Sequence, residues 1–154
     1  MDLSELKKQY APLGSKHKLP SFDKLNEDFE IDKIDRETDF PLRLIRKTMM
    51  EKIINSLGFV EMLLNPVNAP RLYLGYIKSI SQEDKEKIDK IYETLADLSL
   101  NSLSLELSSD ESKEAELIQK IYSKWNELKP DFKKIMEDMK NPKTVTKKEK
   151  SYYG

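Results

Sequence analysis

One long apolar stripe limits the folds available to this chain more than any other feature. Between Pro41 and Leu64 apolar side chains recur about once per helical turn, and Asn65-Pro66 ends the pattern. The stripe consists of Leu42, Met49, Ile53, Leu57, Val60 and Leu64. Gly58 weakens this helix by about 1 kcal/mol relative to alanine but does not interrupt it. We therefore predict a long helix whose apolar face packs against other helices.

The segments before this helix have the same period over shorter lengths. We expect a short amphipathic helix over Leu3–Tyr10, followed by a linker with two prolines and a glycine, "APLGSKHKLP". Ser21 is a suitable N-cap for the next helix. Thr38 or Asp39 would cap the long helix, with Pro41 in its first turn, where a missing N–H is harmless.

The second half of the chain is also predicted to be helical. Ser81 begins an S-x-x-D cap, which predicts the start of a helix. The apolar segment before it, Arg71–Ile80, could be either a helix or a strand. Leu98–Leu107 alternates as a strand would, but it lacks β-branched residues and a preceding turn, so we predict a helix. Ser108 or Ser109 would then cap a last pair of helices. The first carries Leu117, Ile118, Ile121, Tyr122, Trp125 and Leu128, and the second follows Pro130 with Phe132, Ile135, Met136 and Met139.

Together these segments predict an all-α fold. We expect an irregular helical bundle of four to five main helices, with a short N-terminal amphipathic segment packed across it. Residues 1–140 would form one domain, and residues 141–154, which are polar and basic, a disordered tail. The first residues lack the apolar run of a signal peptide, and charged residues and prolines interrupt the most apolar stretch. We therefore expect a cytoplasmic protein without membrane contact.

The N-terminal segment could bind either its own bundle or another molecule. Its apolar residues are Phe22, Leu25, Phe29, Ile31 and Ile34. A helix this short is marginal alone in water, so it must dock. Docking on its own bundle is favoured because the tether removes most of the entropy cost of association. The alternative is an anchor that lies in a partner's groove.

The residues that usually carry catalysis are sparse. The sequence has no Cys and one His, His17, in the predicted linker. Carboxylates alternate with lysines, as on a solvated helix face, and no phosphate-binding loop or nucleophile motif occurs. We therefore predict a protein that is not an enzyme and that uses no metal and no cofactor. A net charge of −1 also gives no general attraction to nucleic acid or anionic membranes.

Arginine is concentrated in one part of the chain. The chain has four arginines, and all of them lie between positions 36 and 71: Arg36, Arg43, Arg46 and Arg71. Arg46 falls on the apolar stripe of the long helix, where a guanidinium needs a carboxylate or phosphate partner. One hypothesis is an internal ion pair with an acid from a neighbouring helix. The other is a binding site for a phosphate or an acidic peptide, formed if the "NPVNAP" turn folds back and brings Arg71 to Arg43 and Arg46. The candidate binding residues are Arg43, Arg46, Lys47, Asn68, Arg71 and Tyr73.

Three stretches, "LPSFDKLNEDFEI", "LIRKTMMEKIINSL" and "LLNPVNAP", resemble a group of small, uncharacterised helical proteins of archaeal type. The resemblance spans most of the chain apart from the tail. It implies a cytoplasmic, single-domain, all-helical protein and brings no activity or ligand. From the sequence we predict a non-catalytic binding or adaptor module that acts through protein contacts. The alternative is a nucleic-acid- or ribosome-associated factor that uses the arginines and the basic tail. The oligomeric state stays open.

Overall fold

The computed structural model describes residues 3–141. Within this range the regular structure is entirely helical, with two single 3-10 turns and no strand. The α-helices are α1 (Leu3–His17), α2 (Phe22–Phe29), α3 (Pro41–Leu64), α4 (Arg71–Lys78), α5 (Gln82–Leu105) and α6 (Glu111–Lys140). The prediction of an all-α fold is confirmed. Apart from Asn141, the predicted disordered tail lies outside the described residues.

Three long helices form the centre of the fold. Helices α3, α5 and α6 contact one another pairwise, and the shorter helices pack on this trio. The apolar stripe of α3 supplies much of the shared core: Leu42, Met49, Ile53 and Val60 are buried, whereas Leu64 is partly exposed. Its length, 24 residues, carries the stripe along the whole bundle. The described residues form three long helices and three shorter ones, and the arrangement in four to five main helices stays a prediction.

Helix α1 is longer than predicted, because the predicted linker is helical up to His17. Pro12 lies inside the helix, where it removes one hydrogen bond. The helix continues because Leu13 still packs on the core. The helix ends at His17, and the left-handed backbone of Lys18 after it lets the Leu19 amide donate to the Gly14 carbonyl at 2.8 Å.

The N-terminal segment docks on its own chain, as favoured from the sequence. The Ser21 hydroxyl accepts from the amide of Lys24 at 3.3 Å and starts α2. All five apolar residues of the segment, Phe22, Leu25, Phe29, Ile31 and Ile34, are buried. Helix α2 contacts α1 and α3, and the Phe29 ring lies 6.1 Å from the ring of Trp125 on α6. These side chains therefore cannot serve as a free anchor for another molecule.

The last helices differ from prediction in two respects. Leu98–Leu107 is helical as predicted, up to Leu105. The predicted pair after it is one helix of 30 residues, and Asp110, not Ser108 or Ser109, is its N-cap. Pro130 does not break α6, although an interior proline costs about 3 kcal/mol. Core packing on both sides of Pro130, through buried residues such as Leu128 and Ile135, outweighs that cost.

Two predicted starts can be compared with the structure directly. The Ser81 hydroxyl accepts from the amide of Asp84 at 3.1 Å, so the predicted cap of α5 is confirmed. The start of α3 differs, since Phe40 is its N-cap and makes no side-chain capping bond. The Thr38 hydroxyl instead accepts from the amide of Phe40, and Pro41 lies in the first turn as predicted.

No helix within residues 3–141 combines the length and the apolar character that crossing a bilayer requires.

Candidate functional site

Arg46 is held inside the bundle by carboxylates of its own chain. Only 1% of the residue is exposed. Its Nε donates to Glu114 Oε2 at 2.7 Å and its Nη2 to Glu114 Oε1 at 3.0 Å, which makes a two-bond ion pair. Its Nη1 donates to Ser102 Oγ and Glu106 Oε1, both at 2.9 Å. Internal acceptors thus take four of the five N–H donors of the guanidinium, as the internal ion-pair hypothesis predicts.

The other cations at this end of α3 bind the same acids. Arg43 donates to Glu106 Oε2 at 3.0 Å and to the Ser108 carbonyl at 3.0 Å. Lys47 Nζ lies 3.4 Å from Glu106 Oε2. Hydrogen bonding from Arg46, followed by the nearby positive charges, lowers the pKa of Glu106 below its ordinary value. Arg43, Arg46 and Lys47 thus form an intramolecular network, which we call the Arg46 cluster.

Helix ends place these acids opposite Arg46. Glu106 caps the C-terminus of α5, and Glu114 lies in the first turn of α6. A carboxylate in the first turn interacts favourably with the positive end of the helix dipole. Arg46 projects between both ends from α3, so the Arg46 cluster ties the α5–α6 connection to the central helix.

The structure does not bring Arg71 to the Arg46 cluster. At about 1.5 Å per residue, roughly 27 Å of α3 separate Arg46 from Leu64, and Arg71 begins α4 only after that end. Asn68 closes the 3-10 turn that precedes α4. Tyr73 lies on α4, and its ring is 5.9 Å from the ring of Phe59. The candidate residues predicted from the sequence therefore occupy two opposite ends of the bundle.

An open groove runs between the 3-10 turn after α2, α3 and α6. Its volume is about 550 Å³. Its floor and walls are apolar and largely aromatic: Phe29, Phe59, Trp125, Phe132 and Met136. The aromatic residues are fixed by packing, since the rings of Trp125 and Phe132 are 5.6 Å apart. Met136, by contrast, is 47% exposed. We call this feature the aromatic groove.

Charged side chains border the aromatic groove unevenly. Four lysines, Lys33, Lys52, Lys129 and Lys133, line it together with two glutamates, Glu30 and Glu51. Lys52 Nζ lies over the Trp125 ring at 5.2 Å and donates to the backbone carbonyl of Asp28. Lys129 pairs with the Asp28 carboxylate at 2.6 Å, and Lys33 with Glu51 at 3.0 Å. The border is therefore positive on balance.

A second concave region adjoins the aromatic groove and shares two lining residues with it. It has a volume of about 440 Å³ and lies between the end of α3, α4 and the end of α6. Phe59 and Met136 line both regions, and Tyr73 and Met139 line this one alone. We call it the α4 compartment. Leu72 at its edge is 84% exposed, which leaves an apolar side chain without cover in the described chain.

A buried carboxylate fixes α4 beside this compartment. Asp84 at the start of α5 is 3% exposed and accepts a hydrogen bond from the Tyr76 hydroxyl at 3.2 Å. Lys134 Nζ lies 3.9 Å from Asp84 and 3.0 Å from Asp138. Burial, and then the hydrogen bond and charge of Asp138, raise the pKa of Asp84 above its ordinary value. The Tyr76 contact therefore couples α4 to the start of α5.

No group of three or more metal-ligating side chains occurs within residues 3–141. Comparisons with protein-family models, curated proteins and solved structures found no match to this chain. The resemblance to archaeal-type helical proteins stays a prediction.

Of the six candidate binding residues, Tyr73 alone lines the aromatic groove or the α4 compartment. Tyr73 was predicted to bind and lines the α4 compartment. The sequence pattern places Met136 on the core stripe of the last helix and so does not predict its exposure. It also does not predict the lysines of the groove. A signal was present: Lys129, Lys133, Met136 and Lys140 are spaced by four, three and four residues, which places them on one side of a helix.

Proposed function

We propose that the protein is a non-catalytic binding module that holds a helical segment of a partner protein in the aromatic groove and the α4 compartment. The observation that carries the proposal is that the two concave regions adjoin and share Phe59 and Met136 in their walls. An apolar, partly aromatic channel bordered by charge is the form of site that takes the apolar face of an amphipathic helix.

The length of the channel suits such a segment. Trp125 lines one end and Met139 the other, and both lie on α6. At about 1.5 Å per residue their separation along the helix is roughly 21 Å, which equals nearly four turns of a bound helix. A partner helix of this length presents apolar side chains at i, i+3 or i+4, and i+7 to one groove.

The Arg46 cluster supports this proposal over the nucleic-acid alternative. Arg43, Arg46 and Lys47 each lie against Glu106, so binding a phosphate backbone would require breaking these pairs. Among the residues first predicted to bind, Tyr73 fits the proposed site directly, and Arg71 begins the helix that forms its wall. The site we propose thus lies at the Arg71 end of the bundle.

The test uses three designed amphipathic peptides of about 16 residues, or roughly 24 Å as helices, with the same leucine face. Their polar faces are acidic, neutral or basic, and none contains tryptophan. Trp125 is the only tryptophan of the chain and lines the groove, so its fluorescence reports binding directly. We expect at least one peptide to bind and to change the Trp125 emission.

Two matched variants locate the binding site. Met136→Glu places a charge in the channel, and we expect it to weaken binding at least tenfold. Leu103→Glu is the control, because Leu103 is 63% exposed on α5 and lines neither region. Circular dichroism of both variants checks that the fold is retained. Binding that survives Met136→Glu, or no binding by any peptide, would contradict the proposal.

A further inference from the structure

We propose that the partner helix is acidic and that its carboxylates pair with lysines of α6 along the channel. This inference rests on the proposed function, because it names the chemistry of the partner at the same site. It depends on the positions of the lysine charges and on which of those charges the chain itself neutralises.

Two of the four groove lysines already have a carboxylate partner. Lys33 pairs with Glu51, and Lys129 pairs with Asp28, whose side chain is 14% exposed. Lys52 interacts with a backbone carbonyl and two aromatic rings, which leaves its charge uncompensated. Lys133 makes no ion pair with any residue in the described range. The groove therefore carries positive charge that an incoming carboxylate would complement.

The uncompensated charge continues into the α4 compartment. Lys140 lines that compartment, is exposed, and makes no ion pair within residues 3–141. Lys133 and Lys140 are seven residues apart on α6, which equals about two helical turns, or roughly 10.5 Å. Carboxylates at i and i+7 of a bound helix have the same spacing. Met136 lies between the two lysines in sequence and lines both regions, so an apolar residue of the partner would contact it between the two ion pairs.

Charge argues against the chain's own C-terminal segment as the occupant. Residues 142–154 follow α6 directly and contain four lysines and one glutamate. Positive residues of this segment would face Lys133 and Lys140 and repel them.

The experiment compares the acidic, neutral and basic peptides on the full chain at about 0.05 and 0.15 M salt, because ionic screening weakens exposed pairs. We expect the acidic peptide to bind at least tenfold more tightly than the basic one at low salt, with a smaller ratio at higher salt. The double reversal Lys133→Glu and Lys140→Glu should weaken the acidic peptide about tenfold and strengthen the basic one. The double reversal Lys85→Glu and Lys90→Glu, at exposed positions of α5, has the same net charge and should leave the ranking unchanged.

Each outcome separates this inference from the proposed function. If all three peptides bound equally well and Met136→Glu abolished their binding, the inference of an acidic partner would be wrong and the proposed binding site would stand. Displacement of the acidic peptide by a uridine oligonucleotide in the wild-type chain would indicate a nucleic acid, which also overturns it. Tighter peptide binding after deletion of residues 142–154 would assign the channel to the tail. A dimer in light scattering that Met136→Glu dissociates would assign it to a second copy.

Discussion

Replacing Arg46 by methionine tests whether the Arg46 cluster holds the bundle together. The change preserves much of the side-chain volume and removes all the donors. Glu114, of which 3% is exposed, then loses both hydrogen bonds to Arg46 and keeps only Arg43 Nη1 nearby, at 3.6 Å. A carboxylate left buried without its partner typically costs ~3–5 kcal/mol.

That cost is a large fraction of the stability of a domain, which is typically about 5–15 kcal/mol. For a chain of this size, 1 kcal/mol lowers Tm by about 2–4 °C, so we expect a decrease of roughly 6–20 °C. Glu106 contributes less to this cost, because its side chain is 38% exposed and also binds Arg43 and Lys47. The double variant Arg46→Met, Glu114→Leu removes both buried charges and should recover most of the lost stability.

Urea unfolding followed by circular dichroism at 222 nm measures all four corners of this double-mutant cycle. Lys47→Met is the control, because its pair with Glu106 is exposed and worth about 0–1 kcal/mol. An Arg46→Met variant within 1 kcal/mol of wild type would refute the reasoning. If the double variant lost as much stability as the two single variants added together, the Arg46–Glu114 pair would not be the cause of the loss.

Two further predictions concern other buried groups. Asp84→Asn should raise the free energy of unfolding at pH 7, because the raised pKa of Asp84 means that its ionised form destabilises the fold. This gain in stability should shrink as the pH falls through the pKa of Asp84 in the folded protein, and it should vanish below the pKa of the unfolded chain. Urea unfolding at several pH values measures the gain, and Asp89→Asn at an exposed position of α5 is the control. A gain that is constant with pH would contradict this account. Phe29→Ala should lower the free energy of unfolding by about 3–5 kcal/mol and shift the emission of Trp125, because Phe29 is 2% exposed and packs on the Trp125 ring. Phe40→Ala is the control: Phe40 is 60% exposed, and its removal should change stability by less than about 0.5 kcal/mol. A loss for Phe29→Ala no larger than that for Phe40→Ala would exclude α2 as part of the core.

Periodicity predicted most of the helices because burial of one face decides where a helix lies. The stripe of α3 and the caps at Ser21 and Ser81 are local signals, and each is present in the structure. Pro12 and Pro130 misled the prediction for the opposite reason. A proline is a strong local signal against a helix, but core packing on either side of it is a tertiary effect that single-sequence reasoning does not weigh.

The candidate site was harder to predict, because it depends on which charges face one another across the bundle. The sequence placed Arg46 on an apolar stripe, which indicated a buried partner, but not that the partners would be Glu106 and Glu114. Likewise, Lys133 resembles any other lysine of a solvated helix in the sequence. The role that we propose for Lys133 depends on its position in the fold, where α3 and the turn after α2 lie beside it and line the same groove.

The two ends of α3 illustrate a general way to separate structural from binding charges. At the first end, each cation of the Arg46 cluster pairs with a glutamate of the same chain. The guanidinium of Arg46 is also excluded from solvent. Removing a charge there should change stability. At the second end, Lys133 and Lys140 are exposed beside apolar surface that the described chain does not cover. Reversing those charges should leave stability within about 0.5 kcal/mol of wild type and should instead change association. A double reversal that destabilised the fold as much as Arg46→Met does would mean that these lysines also serve the fold, and the distinction between the two ends would be wrong.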